Sequence, residues 1–211
     1  MRNHRIKEDF FRHPTLLMAE KLLGMVLVHK TPGGELLKGK IVETEAYLAA
    51  GDRACHAYRG MTQRNRPMFA SPGTVYIYFT YGNHYLMNIV TEPEGTAGAV
   101  LLRALEPLEG IPVMERNRGS KSGTILTNGP GKLTQAMSIG PELNSSSLLH
   151  SHQLYIEEGD TPLPEEIGTS ERIGITQSTE LPWRKYISSS PYVSGKAAAR
   201  CRKKHHDALE S

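Results

Sequence analysis

The sequence predicts one mixed α+β domain: a curved, largely antiparallel sheet with a protruding β-hairpin and surrounding helices. Three observations lead there. The 211 residues suffice for one large core and are few for two. The strand-like runs come in pairs separated by short turn signals, which favours hairpins over alternating βαβ units. The helix-like segments gather toward the ends instead of following every strand.

The elements follow in order. "FRHPTLLMAEKLLGM" reads as a helix from about Pro14 to Leu23, with proline near its start and Gly24 at its end. "MVLVHK" and "GKIVETEAYL" are strands joined across "TPGGEL", whose proline and glycines favour a turn. Within "IVETEAYL" (41–48) a period of two puts Ile41, Glu43, Glu45 and Tyr47 on one face and Val42, Thr44 and Ala46 on the other. Two carboxylates on one side of a strand bounded by apolar residues fit either a solvated edge or a catalytic cleft.

Residues 49–73, rich in Gly, Pro, Arg and Asn, read as a long loop with short helices, and a loop of that length is usually functional or disordered. "GTVYIYFTY" alternates strictly, with Thr74, Tyr76, Tyr78 and Thr80 opposite Val75, Ile77, Phe79 and Tyr81. "GN" at 82–83 turns the chain into the partner strand "HYLMNIV". "AVLLRALEPLEG" is a further buried strand, expected to end near Pro107. Then come "VMERNRG", a weak helix, "NGPGKLTQAMSI", a Gly-rich loop opening a helix, and "HQLYIEE", a strand. "SERIGIT" reads as a short strand and "LPWRKYISSSPYVS" as mostly irregular. No composition break divides the chain, so residues 1–200 form the domain and 201–211 a frayed basic tail.

Composition narrows the function. No apolar run is long enough for a membrane span and the start lacks a signal-peptide core, so a cytoplasmic protein without a membrane partner is expected. Cys55 and Cys201 lie too far apart in sequence for a disulfide framework or paired ligand spacing. A formal charge of +3 does not by itself imply nucleic acid. Basic residues nevertheless cluster in "QRNRP", "ERNRGSK" and "RCRKKHH", and Arg64 in the first is a candidate phosphate contact. Scattered solvated charges would give the same composition.

No G-x-S-x-G, H-E-x-x-H or phosphate-loop motif is present; "GPGKLT" lacks the phosphate-loop spacing, although its amides and Lys132 could hold a phosphate. Cys201, His205 and His206 fit a basic tail better than a metal site, and neither metal nor cofactor is expected. What remains is Glu43, Glu45, Tyr47, His56, Tyr78, Tyr81, Asn88 and Arg103. Singly, a strand tyrosine is usually core and a lone histidine structural. Asn88 inside a strand and Arg103 inside "LLRAL" both need partners, since buried amides and guanidinium groups are costly alone. Together they point to a polar, aromatic-lined pocket between two hairpins.

"VETEAY", "CHAYRGMTQRNRPMF", "PGTVYIYFTYGNHYLMNIV" and "VLLRALEPLEG", in that order, closely resemble the alkyladenine (3-methyladenine) DNA glycosylase family. The match continues through "GPGKLTQAM" and "SPYVS", covering nearly the whole chain. The resemblance implies a monomeric, monofunctional enzyme that flips damaged purines out of double-stranded DNA and hydrolyses their N-glycosidic bond. 3-Methyladenine, 7-methylguanine, hypoxanthine and ethenoadenine are the implied targets. By the same resemblance Glu45 is the general base and Arg103 helps hold the site and its water. Tyr47, His56 and Tyr78 are the walls between which the base stacks, Asn88 excludes normal guanine, and Tyr81 wedges into the duplex. Lys132 falls at a DNA-phosphate contact, whereas Glu43 has no catalytic counterpart. The chain departs from the pattern after His56, where it is shorter than some relatives, and at Asn83, where methionine is common. A non-catalytic binder of damaged or bent DNA is the competing reading; a hydrolase of RNA or free nucleotides comes third.

Overall fold

A computed structural model describes residues 5–80 and 82–195. Helix α1 (Thr15–Lys21) leads into β1 (Val26–Lys30), with Gly24 at φ +84° reversing the chain between them. Strand β2 (Leu36–Leu48) follows, then a long loop holding one 3₁₀ turn at Arg66–Phe69. Strands β3 (Val75–Thr80) and β4 (His84–Val90) form the hairpin, and β5 (Gly98–Glu109) returns alongside. Helices α2 (Ile111–Asn117) and α3 (Pro130–Ala136) precede β6 (Leu154–Glu157), β7 (Ile167–Ser170) and β8 (Arg184–Ile187).

The eight strands make one antiparallel sheet in the order β3-β4-β5-β2-β1-β6, which branches at β2. Strand β1 pairs with β2 over Leu36–Lys40, and β8 takes the same edge over Glu43–Glu45, carrying β7 outside it. Side chains from α1 (Met18, Ala19), α2 (Met114) and α3 (Leu133, Ala136) cover one face, with Ile41, Ala46, Val75, Ile77, Val100, Leu102 and Leu105 beneath them. Burying each aliphatic side chain of this kind contributes about 1.5–3 kcal/mol. A smaller apolar cluster on the opposite face packs Cys55, Ala57 and Met68 of the long loop onto Tyr76, Val90 and Ala99. No helix among the described residues is long and apolar enough to cross a membrane.

The hairpin follows its sequence pattern: Val75 and Ile77 enter the main core, and Tyr76 and Tyr78 turn the other way. The β2–β5 pair does not. Ile41 pairs with Leu105 and Thr44 with Leu102, but between them Glu43 sits opposite Ala104, a local register break in both strands. Leu37 and Ile41 face the main core before the break, and Ala46 does so after it; across it, β5 switches from Leu105 to Leu102 and Val100. The expected common face of Ile41 with Glu43 and Glu45 is therefore wrong. A bulge-type irregularity changes the phase and re-aims the side chains beside it, here Glu43 and Arg103.

Three further expectations change. Strand β5 continues past Pro107 to Glu109. Strand β4 pairs with only Ala99–Leu101 of it, and among the described residues no second strand pairs alongside Pro107, so its missing N–H costs no second ladder. "SERIGIT" is not a strand: β7 ends at Ser170 and the following residues run irregularly toward the pocket. Conversely, "LPWRKYISSSPYVS" contains β8, stabilised by ladders on both edges. The tail 201–211 lies outside the described residues.

Candidate active site

The phase change brings two carboxylates and two arginines together on the side of β2 away from α1. Glu43 and Glu45 are both fully buried. Arg103 bridges them: its Nε donates to Glu43 Oε1 at 3.0 Å and its Nη1 to Glu45 Oε2 at 3.2 Å. Arg184, from β8, donates Nε to Glu43 Oε1 at 2.7 Å. Ser194 adds its backbone N–H to Glu43 Oε2 at 2.6 Å and its hydroxyl to Oε1 at 2.8 Å. Glu45 receives the Tyr47 hydroxyl at 2.8 Å and the Ile173 N–H at 2.6 Å.

The two carboxyls are driven apart electrostatically. Burial raises Glu43, but Arg103, Arg184 and the Ser194 N–H outweigh it and hold it below the ordinary value of 4.5. Burial also raises Glu45, and there Arg103, the Ile173 N–H and Tyr47 only partly offset it, leaving the group above 4.5. Burial and the neighbouring Glu45 carboxylate raise the Tyr47 pKa, which favours the neutral hydroxyl that donates to Glu45.

Above this polar floor opens a cavity of about 440 Å³ lined by Tyr47, His56, Tyr76, Tyr78, Asn88 and Arg103, among others. That volume is within the range of small-molecule sites. The His56 and Tyr78 rings meet edge to face at 4.4 Å, and His56 Nδ1 is 2.9 Å from the Tyr76 hydroxyl. Burial and the nearby Arg64 lower the His56 pKa, favouring a neutral imidazole. Asn88 Nδ2 donates to the Tyr76 carbonyl at 3.1 Å, which gives the buried amide its partner.

The back of the Tyr47 wall holds residues that sequence reasoning missed. Arg172 lies 4.6 Å from the centre of the Tyr47 ring and 5.2 Å from that of Trp183. Its side chain and that of Asp52 are fully buried, joined by two bonds of 2.6 and 2.8 Å. The pair clips the loop bearing His56 to the segment bearing Ile173. Arg184 and Ser194 were missed in the same way. Arg172 fell in a segment read as a strand, and Arg184 and Ser194 in one read as irregular. The available signal was the arginines themselves, set among Ile173 and Trp183, where a guanidinium needs a carboxylate.

Of the residues singled out from sequence, Glu45, Tyr47, His56, Tyr78, Asn88 and Arg103 thus converge on one site. Arg64 stands exposed at its edge, its guanidinium 5.6 Å from the Tyr78 ring centre and 3.3 Å from the Phe79 carbonyl. Lys132 lies outside the lining, donating to Asn128 Oδ1 at 2.7 Å, although Pro130 of the same helix reaches the pocket. Gly131 is required there: a Cβ would meet the His84 ring at 2.7 Å, so only glycine lets α3 press on the hairpin. Tyr81 lies outside the described residues.

Fold and site together define a class: single-domain α+β proteins with an aromatic-lined pocket beside a buried carboxylate fixed by arginine. Within that class the family follows from the sequence. Residues 9–191 match the model of the methylpurine-DNA glycosylase family, and the chain belongs to that family. It is therefore a DNA glycosylase, a hydrolase of N-glycosyl bonds. Among its relatives, a Chlorobium phaeobacteroides (strain BS1) protein is 59% identical over 93% of this chain and 98% of its own length. One from Prosthecochloris aestuarii is 58% identical over 98% of this chain and 99% of its own length. One from Carboxydothermus hydrogenoformans is 47% identical over 90% of this chain and 99% of its own length. Each is named "Putative 3-methyladenine DNA glycosylase".

Proposed function

We propose that the protein, acting as a monomer, flips damaged purines out of double-stranded DNA and hydrolyses the N-glycosidic bond with a water activated by Glu45. The observation that carries this reading is the state of that carboxylate. A carboxylate offers about four acceptor sites. Among the described residues Glu45 Oε1 takes only the Ile173 N–H, leaving it an acceptor site for water, and all three residues that donate to Glu45 (Tyr47, Arg103 and Ile173) line the pocket, whereas Arg184 and Ser194, which hold Glu43, do not. A raised Glu45 pKa also suits a general base, which works best near the operating pH.

In the step, the bond between the anomeric carbon and the purine nitrogen breaks and its electron pair leaves with the base. The water oxygen bonds to the sugar carbon, Glu45 takes the water proton, and an abasic site remains. The carboxylate also offsets the positive charge developing on the sugar. No lysine lines the pocket among the described residues, which favours water over an amine nucleophile. Tyr47, His56 and Tyr78 supply stacking worth about 1–3 kcal/mol per base, comparable to the cost of unstacking. Their π faces suit the cationic rings of 3-methyladenine and 7-methylguanine, and a neutral His56 adds no repulsion. Hypoxanthine and ethenoadenine fit the same flat slot. Asn88 would crowd the exocyclic amino group of guanine, Tyr81 would fill the gap in the duplex, and Arg64 and Lys132 would meet phosphates.

The test uses a duplex carrying one hypoxanthine or ethenoadenine. Alkali-sensitive abasic sites should accumulate with no borohydride-trapped adduct, and Glu45→Gln should lower single-turnover excision by at least about a thousandfold, within what catalytic groups supply. Full activity in that variant would refute the assignment.

A further inference from the structure

Glu43 is the residue for which the family resemblance offers no role, yet it is the most heavily bonded carboxylate at the site. An unrestrained guanidinium prefers to place two parallel N–H groups on a single carboxylate. Arg103 does not. Glu43 holds its Nε, the Ser194 hydroxyl receives Nη2 at 3.3 Å, and the Ile173 carbonyl lies 3.4 Å from Nη1. Only Nη1 remains for Glu45, at the longer distance of 3.2 Å. Arg184 and Ser194 close around Glu43 and fix its carboxylate in turn.

We propose that Glu43 is a positioning residue for hydrolysis: with Arg184 and Ser194 it anchors Arg103, so that a single Nη reaches Glu45. The proposal rests on the reading of Glu45 as the base. Its consequence is electrostatic. A guanidinium free to turn both N–H groups onto Glu45 would stabilise the carboxylate and weaken it as a proton acceptor. The charged and titratable groups around Glu45 are Arg103 from β5, Arg184 from β8, Arg172 beyond the Tyr47 ring, and Glu43 and Tyr47 on its own strand. Removing the Glu43 charge strips one anion from this set and releases Arg103. Both effects lower the Glu45 pKa.

The experiment is the pH dependence of single-turnover excision in wild type, E43Q, R184Q and E45Q, with thermal unfolding measured alongside. In E43Q the acidic limb should move down by about one pH unit, a shift typical of a change in one close charge, and the plateau rate should fall. In R184Q it should move up, because Glu43 then draws Arg103 away from Glu45 and one cation is lost. A purely structural Glu43 would lower the melting temperature without moving the limb. An unmoved limb in E43Q, or limbs moving the same way in both variants, overturns the proposal. If E43Q does not fold, R184Q decides alone: an upward limb supports the proposal and any other result overturns it. The E45Q control separates the two readings. Activity retained there removes Glu45 as the base, whereas an inactive E45Q with unmoved limbs in E43Q and R184Q removes only the role of Glu43.

Discussion

The β3–β4 hairpin and the β2–β5 pair wall the same pocket but are built differently. The hairpin keeps an unbroken period of two, with Tyr76 and Tyr78 toward the pocket and Val75 and Ile77 toward the core. The β2–β5 pair changes phase at Glu43 and Arg103, and there the side away from α1 is lined with charge instead of rings. A regular ladder suffices to present flat surfaces. Holding ionised groups out of water requires the chain to leave the ladder, so that donors from β8 and from the segment ending at Ser194 can reach them. The comparison also separates two glutamates two residues apart on one strand, one held entirely by residues that line the pocket and one also by Arg184 and Ser194 outside that lining.

The largest expected difference between the walls lies in their tolerance of truncation. Arg103→Met should cost about 3–5 kcal/mol in urea unfolding, because it leaves two buried carboxylates without their shared partner. A cost under about 1 kcal/mol would break the contrast. Next come the glutamates, whose effects on stability should have opposite signs with pH. Glu43 is depressed below 4.5, so its stabilisation is complete above that value and is lost as pH falls through the folded pKa. Glu45 is raised above 4.5, so its contribution is complete below that value and is lost as pH rises through the folded pKa. At neutral pH, Glu43→Gln should therefore destabilise and Glu45→Gln stabilise the fold; equal signs in denaturant titrations would remove the distinction.

On the hairpin wall the expected effects are smaller. Tyr76→Phe removes one hydrogen bond to His56 and should cost about 0.5–1.5 kcal/mol, with the sheet unchanged by circular dichroism. The smallest effect belongs to the rim. Lys132→Ala should leave stability within about 0.5 kcal/mol. It should reduce the salt dependence of duplex binding by about one unit of slope, with or without a lesion. An unchanged slope would exclude a phosphate contact.

How much of this was legible follows the same division. Strict alternation in "TVYIYFT" gave the hairpin its faces, and an arginine in "LLRAL" announced a need for carboxylates. Grouping Ile41 with Glu43 and Glu45 failed because periodicity assumes an unbroken register, and the break rests on contacts across more than fifty positions. Asp52, Arg172, Arg184 and Ser194 were missed for a related reason. The arginines announced a need for carboxylates, but which carboxylates, and that Asp52 and Ser194 take part, comes only from partners brought close by the fold.

The Ser194–Glu43 contact has a consequence for the order in which the molecule is made. It joins residues 151 positions apart, and contacts of such separation tend to be among the last to form. A growing chain carries Glu43, Glu45 and Arg103 long before Arg184 and Ser194 have been synthesised. Until these arrive, the polar floor lacks three of its seven donor contacts, and Glu43 is held by Arg103 alone. The same contact that orders Glu43 therefore waits for the chain to grow past Ser194, so the geometry of this pocket floor belongs to the finished fold and not to its first half.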